Sequence, residues 1–366
     1  MSLLSSASRA TAPSPDAEQA DPLGLVPRSA DGASGPKFSE CFIRGVRFAP
    51  ARFCAPLAGY THSAFRRLLA ELGGHGAAWT EMLAARMVLH ENFIRSPWLR
   101  RRPGEGPLFF QLMARATDPL DRILDRLGQH GVTAVDLNLA CDALNVRCQS
   151  AGSALWDNSD ALRAVVTTAR KHWPGILTVK IRLGGRRPDW EPRFVRRLRL
   201  IEDAGVDAVT LHPRFFEDKY RGTAQHRVIP WAASLTRLPL IANGDISGPA
   251  HVARQADSLR PAAALMIGRM AIVQPWLFAG WDQPIAVNHA DIWRRLCQYV
   301  KDDFAEPVAL RRVQMFTKFF AANFAFGHAF NVRMSKALTL PELEATAEDF
   351  FARSPALLTE PTVSGL

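Results

Sequence analysis

The groups able to do chemistry in this chain are a thiol, an ammonium, a carboxamide and two glycine turns that each end in a charged residue. Cys141 stands in Asp136-Leu-Asn-Leu-Ala-Cys-Asp-Ala-Leu-Asn-Val146. A thiol of ordinary acidity, with a pKa of about 8.5, can hand a proton to a carbon centre, though the more frequent fate of a lone cysteine is an inert, partly buried side chain. Ile267-Gly268-Arg269 suits an oxyanion, because glycine admits close backbone approach and the guanidinium binds phosphate oxygens in pairs. Asn243-Gly244-Asp245 offers further donors, and Lys180 offers a fixed cation. A flavin mononucleotide would use all of these, with Gln111 reading its ring heteroatoms. The five cysteines (Cys41, Cys54, Cys141, Cys148, Cys297) show no CxxC spacing, so neither a disulfide scaffold nor a zinc site is expected and a reducing cytoplasm is.

These groups need a frame that brings distant positions together. From Arg52 onward, short apolar segments alternate with amphipathic ones. The pattern predicts strands over Phe53–Pro56, Ala77–Glu81, Leu108–Leu112, Ala134–Asn138, Leu177–Ile181, Ala208–His212, Leu238–Asn243 and Ala263–Ile267. Helices are predicted between them over Ser63–Leu72, Asp118–Gln129, Ser159–Lys171, Arg193–Ala204 and Pro249–Asp257. Eight such units imply a TIM (β/α)8 barrel. Glu81, Gln111, Asn138, Lys180, His212, Asn243 and Asp245 then fall at strand C-terminal ends, the rim that carries the active site in such barrels.

After residue 290 the alternation stops. Helices are predicted over Ile292–Phe304, Leu310–Phe326 and Leu340–Arg353, giving a C-terminal all-α domain. Phe316, Phe320 and Phe324 recur every four residues and are expected in its core. The expected plan is a disordered extension over 1–40, a barrel over 41–285, a helical domain over 286–356, which the family resemblance given below implies is RNA-binding, and a flexible tail over 357–366. The net charge of +10 (45 basic, 35 acidic) lies upstream of the helical domain and favours polyanionic partners. Arg100-Arg101-Arg102 and the Arg186–Arg199 stretch are candidates for holding a phosphate backbone. No apolar run is long enough to span a membrane, so no membrane partner is expected.

The order and spacing of several motifs resemble the tRNA-dihydrouridine synthase family. They are Ala55-Pro-Leu-Ala-Gly59, Phe65-Arg66, Glu81-Met82, Gln111-Leu112, Asp136 to Cys141, Ala151-Gly-Ser-Ala-Leu155, Val179-Lys-Ile-Arg182, Leu211-His-Pro-Arg214, Asn243-Gly-Asp245, Gly268-Arg269 and Pro275-Trp276. The resemblance implies an FMN enzyme, reduced by NADPH, that saturates the C5–C6 bond of a uridine in tRNA. It implies that Pro56, Leu57 and Ala58 lie under the flavin and that Gln111, Lys180 and His212 touch its ring and ribityl chain. Asn243, Gly244, Asp245, Gly268 and Arg269 correspond to phosphate-side contacts, and Cys141 to the proton donor. Asn138, Arg182 and Arg214 correspond to positions near the substrate base. A monomer without metal is expected. The alternatives are an FMN barrel acting on a small pyrimidine-like molecule and a catalytically impaired RNA-binding relative.

The chain departs from the family pattern at Ala140-Cys141-Asp142, where Gly-Cys-Pro is usual. Losing the proline is expected to free the loop, and Asp142 to set a carboxylate beside the thiol. Leu144 and Asn145 stand where basic residues are common, His62 replaces an Asp after Thr61, and Pro213 and Phe215 flank Arg214.

Overall fold

The computed structural model describes residues 38–363 and the backbone of residues 26 and 27. All eight predicted strands form: β1 (Arg52–Cys54), β2 (Ala77–Trp79), β3 (Leu108–Met113), β4 (Ala134–Asn138), β5 (Ile176–Gly184), β6 (Ala208–Phe215), β7 (Leu240–Asn243) and β8 (Ala264–Ile267). Each pairs in parallel with the next, and β8 returns to β1 with Ile267 opposite Cys54, which closes the barrel. Nearly every strand residue is buried, as expected where helices cover one face and the barrel interior the other. The barrel floor is aromatic. Trp79 and Phe109 stack at 4.1 Å, and Phe53 packs on Trp79 at 5.6 Å. An antiparallel hairpin, Cys41–Ile43 with Val46–Phe48, caps this floor by setting Phe48 against Phe53 and Phe109.

The barrel helices relevant to the site are α1 (Ser63–Leu72), α2 (Leu120–Gln129), α3 (Ser159–His172), α4 (Trp190–Asp203), α5 (Ile229–Ser234) and α6 (Pro249–Arg254). Helix α1 stops where predicted, with Gly73 at φ +74° closing onto Leu69. The C-terminal domain holds α7 (His289–Asp303), α8 (Val308–Phe320), α9 (Gly327–Lys336) and α10 (Leu340–Ala352). Helix α9 went unpredicted because it opens on a glycine and buries only Gly327, Phe330 and Met334, too sparse a stripe to read. The phenylalanine stripe is core, as expected: Phe316 stacks on Phe320 at 5.1 Å, and Phe324 meets Phe320 edge-on.

The two domains are joined by charge. The buried carboxylate of Asp303 accepts from Ser63 Oγ, from Arg100 Nη1 at 2.8 Å and from Arg102 Nη2. Arg67 on α1 reaches Asp302 at 3.2 Å and lies 3.7 Å from the Tyr299 ring centre. The expectation that Arg100-Arg101-Arg102 holds RNA phosphate is therefore corrected. Two of the three clamp α7 to the barrel, since a buried carboxylate needs its counter-charges more than the surface does. In the second basic stretch, Arg186 pairs with Asp218 and Arg197 is buried over Trp156. Arg187, Arg196 and Arg199 make no ion pair among the described residues.

The ends also differ from expectation. The supposed extension falls mostly outside the described residues, but Val26–Pro27 pairs antiparallel with Ile285–Ala286. The supposed flexible tail is pinned as far as Val363: Leu357 bridges to Phe324, Leu358 N–H donates to Asn323 O at 2.8 Å, and Val363 packs on the core. Main-chain hydrogen bonds to a turn that follows α8 supply order the tail's own composition does not announce.

Candidate active site

The C-terminal ends of β3 and β4 carry one continuous hydrogen-bond chain. Asp136, fully buried, accepts from Thr178 Oγ1 at 2.6 Å and from Gln111 Nε2 at 2.7 Å. Gln111 Oε1 accepts from Asn138 Nδ2 at 2.9 Å, and Asn138 Oδ1 accepts the N–H groups of Ala140 (3.1 Å) and Cys141 (2.9 Å). Because a carboxylate only accepts, this chain fixes which way each amide points. It runs from the barrel interior to the thiol. Burial pushes the Asp136 carboxyl up to about 6, opposed by Thr178, Gln111 and Lys180. Gln111 is almost fully enclosed and keeps one Nε2 hydrogen and one Oε1 lone pair for a ligand.

The loop that carries Cys141 is tied down on its far side as well. Ser153 N–H donates to Cys141 O at 2.9 Å, and Ser153 Oγ donates to Asp142 Oδ1 at 2.7 Å. Arg147 lies 3.5 Å from the same carboxylate oxygen. Asp142 thus does not free the loop. Its carboxylate is engaged by Ser153 and Arg147, and side-chain hydrogen bonds supply the restraint that a proline ring would. Cys141 itself is only partly buried.

Strands β5 and β6 bring a cluster of cations to the same rim. Lys180 is buried, and its ammonium has no hydrogen-bond partner among the described residues. Burial and the neighbouring Arg182 lower its pKa to about 8, with Asp136 opposing. His212 is held neutral, far below the usual imidazole range, by burial and then by Lys180, Arg182, Arg214 and Arg269. Arg214 Nη1 lies 3.1 Å from His212 Nε2. A guanidinium can only donate, so Nε2 accepts and Nδ1 carries the ring proton.

Arg214 departs from its expected place near the base. It is buried, binds Asp245 through both terminal nitrogens (3.1 and 2.6 Å) and donates to Gly222 O at 2.6 Å. Its side chain is behind the rim and positions the groups that face it. The Asp245 carboxylate accepts from Arg214, from Arg269 Nη2 at 3.1 Å and from Ala224 N–H at 2.7 Å, so the side chain aims Arg269 and a phosphate-side contact falls to the Asp245 main chain. Asn243 Nδ2 uses one hydrogen to bridge to Met266 O on β8 at 2.7 Å and keeps the other.

The backbone between these side chains is left open. The N–H groups of Gly244, Asp245 and Gly268 donate to no protein group among the described residues. Gly244 adopts φ +106°, and a Cβ there would fall 2.6 Å from His212 Cδ2, so only glycine lets the turn lie against the imidazole. A buried, unpartnered ammonium at one end, with open N–H groups and Arg269 at the other, fits a flavin mononucleotide. Lys180 would meet the electron-rich ring edge, and the β7–β8 turns the phosphate. Tyr220 was not singled out from the sequence. Its exposed ring lies between Arg182 (5.4 Å) and Arg269 (5.0 Å), joining the base side and phosphate side of the rim. An aromatic in a polar loop gives no periodic signal by which to find it.

Cofactor binding should depend on pH through Lys180. The ammonium, whose pKa is lowered to about 8, is charged below that value and neutral above it. A ligand that needs the cation must draw in a proton at higher pH, so FMN affinity should fall as pH rises past about 8. In Lys180→Met the affinity should be lower throughout and the slope gone. Fluorescence titration of FMN at stepped pH measures both, and a slope that survives in the variant would exclude Lys180 as its source.

A (β/α)8 barrel with this rim is a flavin-dependent oxidoreductase. Residues 53–352 match the family model described as dihydrouridine synthase (Dus). The chain is 29% identical over 315 residues to tRNA-dihydrouridine synthase B of Salmonella typhimurium, covering 81% of this chain and 95% of that one. It is 30% identical over 315 residues to the protein of that name from Escherichia coli K12, with the same coverage. A solved structure, the old yellow enzyme homologue from Zymomonas mobilis, superposes with a TM-score of 0.45 at 12% identity, covering 70% of this chain and 96% of that one. The chain belongs to the dihydrouridine synthase family.

Proposed function

We propose that this protein reduces the C5–C6 double bond of a uridine in tRNA, with FMN as bound cofactor and NADPH as reductant. FMN, when bound, would supply the hydride for C6, the carbon conjugated to the C4 carbonyl. The remaining proton comes from Cys141 Sγ and goes to C5, which completes the saturated ring. The uridine must leave the RNA stack to be reached, because a base stacked between its neighbours is closed to the rim of the barrel. Asn138 and Arg182 stand beside Cys141 on the rim and are suited to the polar edge of the extruded base. The cationic cluster favours an anion at the mouth, whether a reduced ring or a phosphate. The helical domain and the unpaired basic residues of α4 would cradle the folded RNA by its shape.

The observation that carries the reading is the single chain of hydrogen bonds linking Asp136, Gln111, Asn138 and the Cys141 amide beside Lys180. The test is genetic and chemical together. Purified protein should be yellow and should bleach with NADPH. Deleting its gene should remove dihydrouridine from one position of bulk tRNA, with return on complementation. Unchanged tRNA in the deletion strain would sink the proposal.

A further inference from the structure

We propose that Arg312, on α8 of the helical domain, is a positioning residue for the cofactor loop Pro56–Gly59, so that the domain assigned to RNA also sets the shape of the flavin site. The role rests on the flavin reading above. Four observations carry it. Gly59, at φ +89°, donates its N–H to Glu81 Oε2 at 2.7 Å. The other oxygen of this buried carboxylate, Oε1, makes no hydrogen bond and faces Arg312 Nη1 at 3.7 Å. A Cβ on Gly59 would fall 2.5 Å from Met315 Cε and 3.1 Å from Arg312 Nη1, so α8 lies directly on the loop. Tyr60 and Phe319 continue the contact edge-to-face at 5.3 Å.

The loop is therefore held from two sides. Glu81 on the barrel fixes the Gly59 amide, and Arg312 with Met315 covers it from the helical domain. Arg312 also supplies counter-charge to Glu81, together with Arg66, and its own guanidinium is seated over the Phe304 ring at 5.4 Å. Removing that charge leaves a buried carboxylate less compensated, and removing the bulk leaves Gly59 uncovered. Either change loosens the segment that, by the family resemblance, would lie beneath the isoalloxazine. By linkage, cofactor binding should in turn strengthen the docking of α8.

The test compares Arg312→Ala, Arg312→Lys, Met315→Ala and Arg311→Ala, the last at an exposed neighbour on the same helix. Two readouts are used: FMN affinity by flavin fluorescence, and hydrogen exchange of the Gly59 amide in cofactor-free protein. Arg312→Ala should weaken FMN binding by about tenfold or more and speed Gly59 exchange. Met315→Ala should act in the same direction to a lesser extent, Arg312→Lys should restore most of both, and Arg311→Ala should leave both at wild-type values. A folded Arg312→Ala protein with wild-type FMN affinity and a protected Gly59 amide would overturn the proposal. Should Arg312→Ala fail to fold, Met315→Ala decides by the same two readouts. If wild-type protein binds no FMN, the functional reading falls, and Gly59 exchange in the cofactor-free variants still decides the role of Arg312.

Discussion

Cys141→Ala should lower the rate of dihydrouridine formation by about 10²–10⁴-fold, the usual contribution of a positioned general acid. FMN affinity and the rate at which NADPH bleaches the flavin should stay at wild-type values. The separation follows from the geometry. The Cys141 side chain makes no hydrogen bond among the described residues, and its loop is fixed through its backbone, by Asn138 Oδ1 on one side and Ser153 on the other. Removing Sγ therefore takes away the proton for C5 and leaves the loop where it was. Cys141→Ser should recover little, because an alcohol is a far weaker acid than a thiol. Single-turnover reaction of pre-reduced enzyme with unmodified tRNA, read by mass spectrometry of the nucleosides, isolates the step. Near-normal product formation by Cys141→Ala would move the proton donor elsewhere.

The largest structural penalty is expected from Asp245→Ala. Arg214 is 1% exposed and has its charge balanced by that one carboxylate, while its Nε already lacks a partner. Leaving a buried guanidinium without its counter-charge costs about 3–5 kcal/mol. For a chain of this length, with roughly 2.1 cal/mol/K of unfolding entropy per residue, that is a fall in Tm of about 4–7 °C. The same change releases Arg269, whose guanidinium Asp245 aims, so FMN binding should weaken as well. Arg269→Ala separates the two effects. It should weaken FMN binding while leaving Tm close to wild type, since Arg269 is less enclosed and Asp245 keeps Arg214 as its partner. Calorimetry of the cofactor-free proteins tests the stability arm. An Asp245→Ala protein that melts with the wild type would show that Arg214 finds compensation elsewhere.

Both predictions concern residues whose place the sequence marks and whose task it does not. Asp245 and Arg214 stand in recognisable motifs at strand ends, which suggested contacts to phosphate and base. Their mutual pairing needs the end of β6 and the turn after β7 to face each other across more than thirty residues of chain, and no local pattern encodes that meeting. The same holds for Arg100 and Arg102. As a run of like charge they read as a polyanion site, and only the packing of α7 onto α1 shows that Asp303 claims them. Asp142 holds its loop for a related reason, since the role of a carboxylate depends on the donors around it and Ser153 arrives from a separate helical turn.

What the amino-acid order determined by itself is the frame and the rim. Near-continuous apolar runs alternating with amphipathic ones admit a closed parallel barrel, and its polar residues fall where strands end. The placement of Cys141, Lys180, His212 and Gly268 at one mouth follows from that frame alone, because strand direction carries each of them to the same side. Tertiary structure alone decided which of the charged groups remain available. A charge seeks the nearest opposite charge that burial leaves unsolvated, and that partner is chosen in space, across domains and loops, with no trace in the spacing of residues along the chain.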